Sequence, residues 1–142
     1  MNSLELHVME FALQGEHPAL EVMREQFAAA TVPRREYTGV GIFTHFAIPD
    51  SVRRLPSTGR IVVGDVYAEV PDLQCPVGFL VFFDRGILSM LECYTCCVET
   101  WPEEAFNLRL YYVHPKELGS PSLVEIEQRD LVFALGSPNS DP

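Results

Sequence analysis

The stretch from Gly78 to Val98, GFLVFFDRGILSMLECYTCCV, constrains this chain more than any other. Two apolar runs rich in Phe, Val, Leu and Ile flank Asp84-Arg85-Gly86, with a glycine where a tight turn needs positive φ. That pattern predicts a long β-hairpin at the centre of the fold. In its second arm, strict alternation places Ile87, Ser89, Leu91, Cys93, Thr95 and Cys97 on one face. Leu88, Met90, Glu92, Tyr94, Cys96 and Val98 fall on the other.

Helical signals come only before this hairpin. Ser3 is a candidate cap for a first helix with Leu6, Met9 and Leu13 as its buried stripe and Gly15 as its stop. Pro18 suits the first turn of a second helix, and Leu20, Met23, Phe27 and Ala30 form a helical face. From Thr38 to Ile48 the period changes to two, with Gly39, Gly41, Phe43 and His45 on one face. A Pro- and Ser-rich loop over 49–60 follows, long for a hairpin link. Further strands are expected over Ile61–Val70, Leu108–Val113 and Leu123–Phe133. Helices first and strands after, without alternation, predict an α+β fold: two N-terminal helices packed on an antiparallel meander sheet of about six strands. A single domain over 1–136 and a polar, disordered tail over 137–142 complete the expectation for 142 residues.

Composition narrows the function classes. With 47% hydrophobic and 21% charged residues, this is an ordinary globular chain. The apolar runs fall short of the ~20 residues that span a bilayer. The N-terminus lacks a basic region, so a cytoplasmic protein with free thiols is expected. A net charge of −10 disfavours nucleic acid and anionic membranes. The charge is uneven: residues 31–60 carry five arginines against two acids, and residues 61–107 carry eight acids against Arg85. An acidic face of that kind steers a basic protein partner.

Chemical motifs are scarce. Cys93, Cys96 and Cys97 cluster, but in an apolar strand rather than the knuckle a zinc site uses, so they read as small buried hydrophobes. No metal and no cofactor is expected. No phosphate loop, nucleophile elbow or zincin helix is present, and no catalytic residue is assigned. Two site readings follow. In the first, Asp65, Tyr67, Glu69, Glu99, Trp101, Glu103 and Glu104 form a partner-binding face. In the second, Gly39, Gly41, His45 and Glu92 line a small-molecule or hydrolytic pocket. A homodimer through an exposed edge of the long hairpin is a third possibility.

The segments REYTGVGIFTHF (35–46), GDVYAEV (64–70) and GFLVFFDRGILSMLECYT (78–95), followed by WPEE (101–104), resemble a group of small bacterial proteins. In that group a similar hairpin recurs after a helical segment, and several members look like immunity proteins of polymorphic-toxin systems. The resemblance covers about half of the chain and departs at Cys93, where Gly or Ala is common. It implies a non-enzymatic protein that neutralises a cognate basic toxin by direct binding, and it transfers no catalytic residue.

Overall fold

In the computed structural model, which describes residues 1–71, 73–97, 100–101, 108–117 and 122–135, two N-terminal helices precede one antiparallel sheet. The elements are α1 (Ser3–Ala12), α2 (Pro18–Ala28), β1 (Thr31–Tyr37), β2 (Gly41–Ala47), β3 (Arg60–Glu69), β4 (Val77–Asp84), β5 (Ile87–Thr95), β6 (Arg109–Pro115), β7 (Leu123–Ile126) and α3 (Leu131–Ala134). The α+β class is as expected, with seven strands rather than about six. The additional strand is β1. Its Pro33, Arg34 and Arg35 hide it from a hydrophobic pattern, and proline is tolerated there because β1 is an edge. The segment Leu123–Phe133, expected as the last strand or two, holds one strand and a short helix. β7 ends at Ile126, and the Asp130 carboxylate then caps α3 by accepting from the Val132 and Phe133 N–H groups. The tail over 137–142 lies outside the described residues.

Strand order is β1-β2-β5-β4-β3-β6-β7. The long hairpin is β4–β5, turning through Arg85 and Gly86, both at positive φ. It sits in the middle of the sheet, with β2 along one flank and β3 along the other. The expected route to a homodimer through the hairpin's edge is therefore closed. The order also departs from a plain meander, because β2 and β3 are separated by β5 and β4. That explains the long link over 48–59: it must cross the hairpin end. It does so pinned, with Leu55 buried and its N–H donating to the Gly86 carbonyl.

Strict alternation fails at two places. The register shifts in β3 between Val63 and Val66, and in β5 opposite Phe82 and Phe83. The β5 shift moves Leu88 onto the face of Leu91 and Cys93, so the face assignment expected from alternation is wrong at that residue. After these corrections one sheet face is largely apolar, with Thr44 and Asp65 among its buried polar exceptions. Val63, Val66, Ala68, Val77, Phe79, Val81, Phe83, Leu88, Leu91, Cys93 and Phe46 meet the helices there.

The helices reach that face through α1 residues Val8, Met9, Ala12 and Leu13 and α2 residues Leu20, Val22 and Met23. Leu6, expected in the stripe, is 42% exposed, and the cap is Asn2 rather than Ser3. Asn2 accepts from the Glu5 N–H, and the Glu5 carboxylate accepts from the Asn2 N–H, a capping box. Glu5 is buried and also holds Arg35 of β1 through two bonds of 2.6 and 2.8 Å and the Thr44 hydroxyl of β2 at 2.9 Å. Burial pushes its carboxyl upward, but these donors and the Arg35 charge outweigh that and hold it below the usual carboxylate range. A second buried anchor is Gln26 of α2. Its amide donates to the Arg53 and Gly86 carbonyls and accepts from the Leu88 N–H, joining helix, crossing loop and hairpin turn. A third is the Asp65–Arg129 pair, bidentate at 2.8 Å, with Arg129 also donating to the Gln14 carbonyl and lying 4.6 Å over the Tyr112 ring.

Asp65→Ala leaves Arg129 buried without its counter-charge. It is expected to lower unfolding free energy by about 3–5 kcal/mol, read by chemical denaturation. Asp65→Leu with Arg129→Met should recover most of that loss; no recovery would show that the pair is not the source.

Cys75 and Cys97 form a disulfide with Cα atoms 5.7 Å apart, so the expectation of four free thiols is corrected; Cys93 and Cys96 are free. Sequence spacing offered no hint of this pair, because the partners lie on opposite sides of the hairpin. The bond encloses β4 and β5 in one loop. Reduction, or Cys97→Ser, is expected to lower stability by about 3 kcal/mol through the loop-closure entropy of the unfolded chain. Denaturation midpoints with and without reductant test this, and coincident midpoints would overturn it.

Candidate functional site

Side chains alternate across a pleated strand, so the face turned away from the helices has its own set. It carries Phe43 and His45 from β2, Met90, Glu92 and Tyr94 from β5, and Leu80 and Phe82 from β4. Val62 and Tyr67 of β3, Arg109, Tyr111 and Val113 of β6 and Glu125 of β7 continue it. Among the described residues no element packs on this face. Most of its apolar and aromatic residues are half-buried.

A row of tyrosines crosses it. Tyr94 lies over Gly78 of β4, where any Cβ would collide with the ring. Its hydroxyl reaches the Tyr67 hydroxyl at 3.3 Å. Tyr67 stacks with Tyr111 at a centroid distance of 6.4 Å, and the Arg109 guanidinium lies 4.8 Å over Tyr111. Arg109 in turn holds both Glu69 and Glu125 by paired hydrogen bonds. Beside the row is a depression of about 210 Å³ lined by Tyr67, Glu69, Pro76, Tyr111, Val113, Leu123 and Glu125. A larger cavity of about 400 Å³ adjoins it, sharing Glu69 and Pro76 and reaching Cys75.

Glu92 occupies the middle of the face. Phe43 of β2 and Leu80 of β4 stand directly beside it in register, and Met90 and Tyr94 lie two residues away along its own strand. Its carboxylate has no hydrogen-bond partner among the described residues. Burial pushes the carboxyl up, and the Arg60 charge pulls it back only in part.

The other expected residues fall in several places. Tyr67 and Glu69 are on the open face, as a contact surface requires. Asp65 is not: it lies at 0% exposure under the helices, paired with Arg129, and is unavailable to a partner. Its place follows from the irregularity in β3, which alternation does not reveal. Trp101 is half-buried against the core, and its N–H donates to the Gly39 carbonyl at 2.8 Å. Glu99, Glu103 and Glu104 lie outside the described residues. Of the pocket residues, His45 and Glu92 do share the open face, but only as diagonal neighbours. His45 is engaged elsewhere, with Nε2 2.7 Å from Glu36 Oε1 and 3.3 Å from Arg34. The space beside Gly41 is filled by the Cys93 carbonyl, and Gly39 sits in the β1–β2 turn with φ +90°. These four residues therefore do not converge on a common cleft. Among the described residues no three His, Cys, Asp or Glu side chains gather as a metal site would require. Nor, among the described residues, is any helix long and apolar enough to cross a membrane.

The row of Tyr67, Tyr94 and Tyr111 is the feature that sequence reasoning missed. The strand glycine at Gly78 beside a neighbouring aromatic was its available signal. No protein-family model, no curated protein and no solved structure matches the chain.

Glu92 has a testable effect on stability. A carboxyl whose folded pKa is raised above its unfolded value contributes stability below the unfolded pKa and loses it as pH rises through the folded one. Ionised Glu92 therefore opposes folding at neutral pH. Glu92→Gln is expected to be more stable than the parent at pH 7, with the gap closing as pH falls below ~4.3. A Gln variant that is less stable at pH 7 would show that the carboxylate is satisfied in the fold.

Proposed function

We propose that this chain is a non-catalytic binding protein that takes a protein partner on its open sheet face. In its sharpest form it is an immunity or antitoxin protein that neutralises a basic toxin by covering it. The observation that carries the reading is the open face itself, with its tyrosine row and, at its centre, a carboxylate that has no hydrogen-bond partner among the described residues.

Size agrees. Seven strands at ~4.8 Å spacing and about seven residues at ~3.3 Å per residue give a face of roughly 29 by 23 Å. That is close to the ~800 Å² a partner contributes to a standard protein interface. Tyrosine is among the residues that dominate binding energy at such centres. The net charge of −10 favours a basic partner and fast capture. A cytoplasmic location accompanies this reading. The Cys75–Cys97 bond pulls the other way, since disulfides are rare in reducing compartments. Alkylation and mass spectrometry of protein taken directly from its own cells decide that point.

The test is affinity capture from those cells with three baits: the parent chain, Tyr67→Ala with Tyr111→Ala, and Glu21→Arg on the exposed side of α2 as control. One stoichiometric basic partner should remain on parent and control, dissociate as salt rises, and bind the double variant at least tenfold more weakly. For an immunity protein, co-expression must also rescue growth from that partner. Equal retention by all three baits would overturn the face assignment, and capture of nothing would overturn the binding reading.

A further inference from the structure

We propose that Glu92 and the apolar ring around it form the seat for an arginine side chain of the protein partner. The inference rests on the binding reading above and adds the chemistry of its central contact.

The open face has five acids, and three of them are already neutralised within the chain. Glu36 pairs with Arg34 and His45, and Glu69 and Glu125 both pair with Arg109. Asp84, exposed at the hairpin end, and Glu92 have no direct side-chain partner among the described residues, and of the two Glu92 is the one at the centre of the face. The nearest cation, Arg60, is engaged over the Phe82 ring at 4.5 Å. Any partner that covers this face removes the remaining water from Glu92. An unpaired carboxylate buried in that position opposes binding, as truncated charge pairs at interfaces do. The occupant must therefore bring a cation to this point or fail to seat.

The surroundings select which cation. Phe43 and Tyr94 flank the carboxylate from the adjacent strand and from its own, and Leu80 and Met90 complete an apolar rim. A planar guanidinium can make a two-point hydrogen bond to a carboxylate while lying on an aromatic ring, and it sheds water more readily than an ammonium. A second copy of this chain is a poor occupant. A two-fold arrangement of this face on itself sets acid-centred patches together, and each molecule carries −10.

The test uses the full chain, isotope-labelled, and needs no partner. Nα-acetyl-arginine N-methylamide is titrated in and followed by NMR at the Glu92 carboxyl carbon and the Phe43 and Tyr94 ring signals. Nα-acetyl-citrulline N-methylamide, similar in shape but uncharged, is the comparison. Saturable shifts centred on Glu92 are expected, at least fivefold weaker with the citrulline probe and absent in Glu92→Gln. Glu92→Asp, which keeps the charge, should retain them in part. Shifts centred elsewhere, equal response to both probes, or an unchanged response in Glu92→Gln would overturn the assignment. Concentration-dependent broadening of these signals without any probe would also overturn it, by placing a second copy on the face. Capture failing while the titration succeeds removes only the binding reading; capture succeeding with a silent titration removes only the arginine seat.

Discussion

A sheet has two faces, and the described residues of this chain hold helices enough for one. Seven strands at ~4.8 Å spacing span about 29 Å, and helices are ~10 Å across, so covering one side takes about three. The described residues supply three: α1, α2 and the short α3, all on the same side. The rest of the molecule follows from that allocation. One face becomes a continuous apolar core. The other keeps half-buried aromatics that no described element covers, and a function that uses a broad surface has one available.

Holding the helices to the correct side requires more than apolar burial, which is non-directional. Each helix has a polar anchor with defined partners. Glu5 ties α1 to β1 and β2, Gln26 ties α2 to the hairpin turn and the crossing loop, and Arg129 ties the approach to α3 to Asp65 of β3. Buried groups of this kind contribute modestly to net stability but are costly to mispair. They therefore fix register: a helix shifted by one turn would bury these same groups without partners. Glu5 carries two duties, closing the capping box of its own helix and accepting from the sheet.

Much of the fold was legible because its signals are local. The hairpin, the change of period after residue 31 and Pro18 at the start of α2 each rest on a few neighbouring residues. What stayed hidden depended on distant pairing. β1 looks too charged to be a strand until it is known to be an edge. The irregularities at Gly64-Asp65 and Ser89 each shift the faces by one residue, and so Asp65 appeared to belong to an exposed acidic surface while it lies in the core. Of the candidate site, Tyr67, Glu69 and Glu92 were visible as residues but not as one surface. Strand order places Tyr94 beside Tyr67, and no sequence spacing encodes that order. Cys75 and Cys97 meet for the same reason, at the two ends of the hairpin that pairing of β4 with β5 brings together.

The two ends of the sheet bear on how the protein behaves at high concentration. An unpaired strand invites the strand of another molecule, and repeated addition builds fibrils. Here β1 presents Pro33, which has no N–H to offer, two arginines and a shift of register, while β7 has only four residues. Recruitment through either edge is obstructed. A chain whose described residues leave a broad aromatic surface uncovered is exposed to aggregation, and blunted edges favour its staying dispersed.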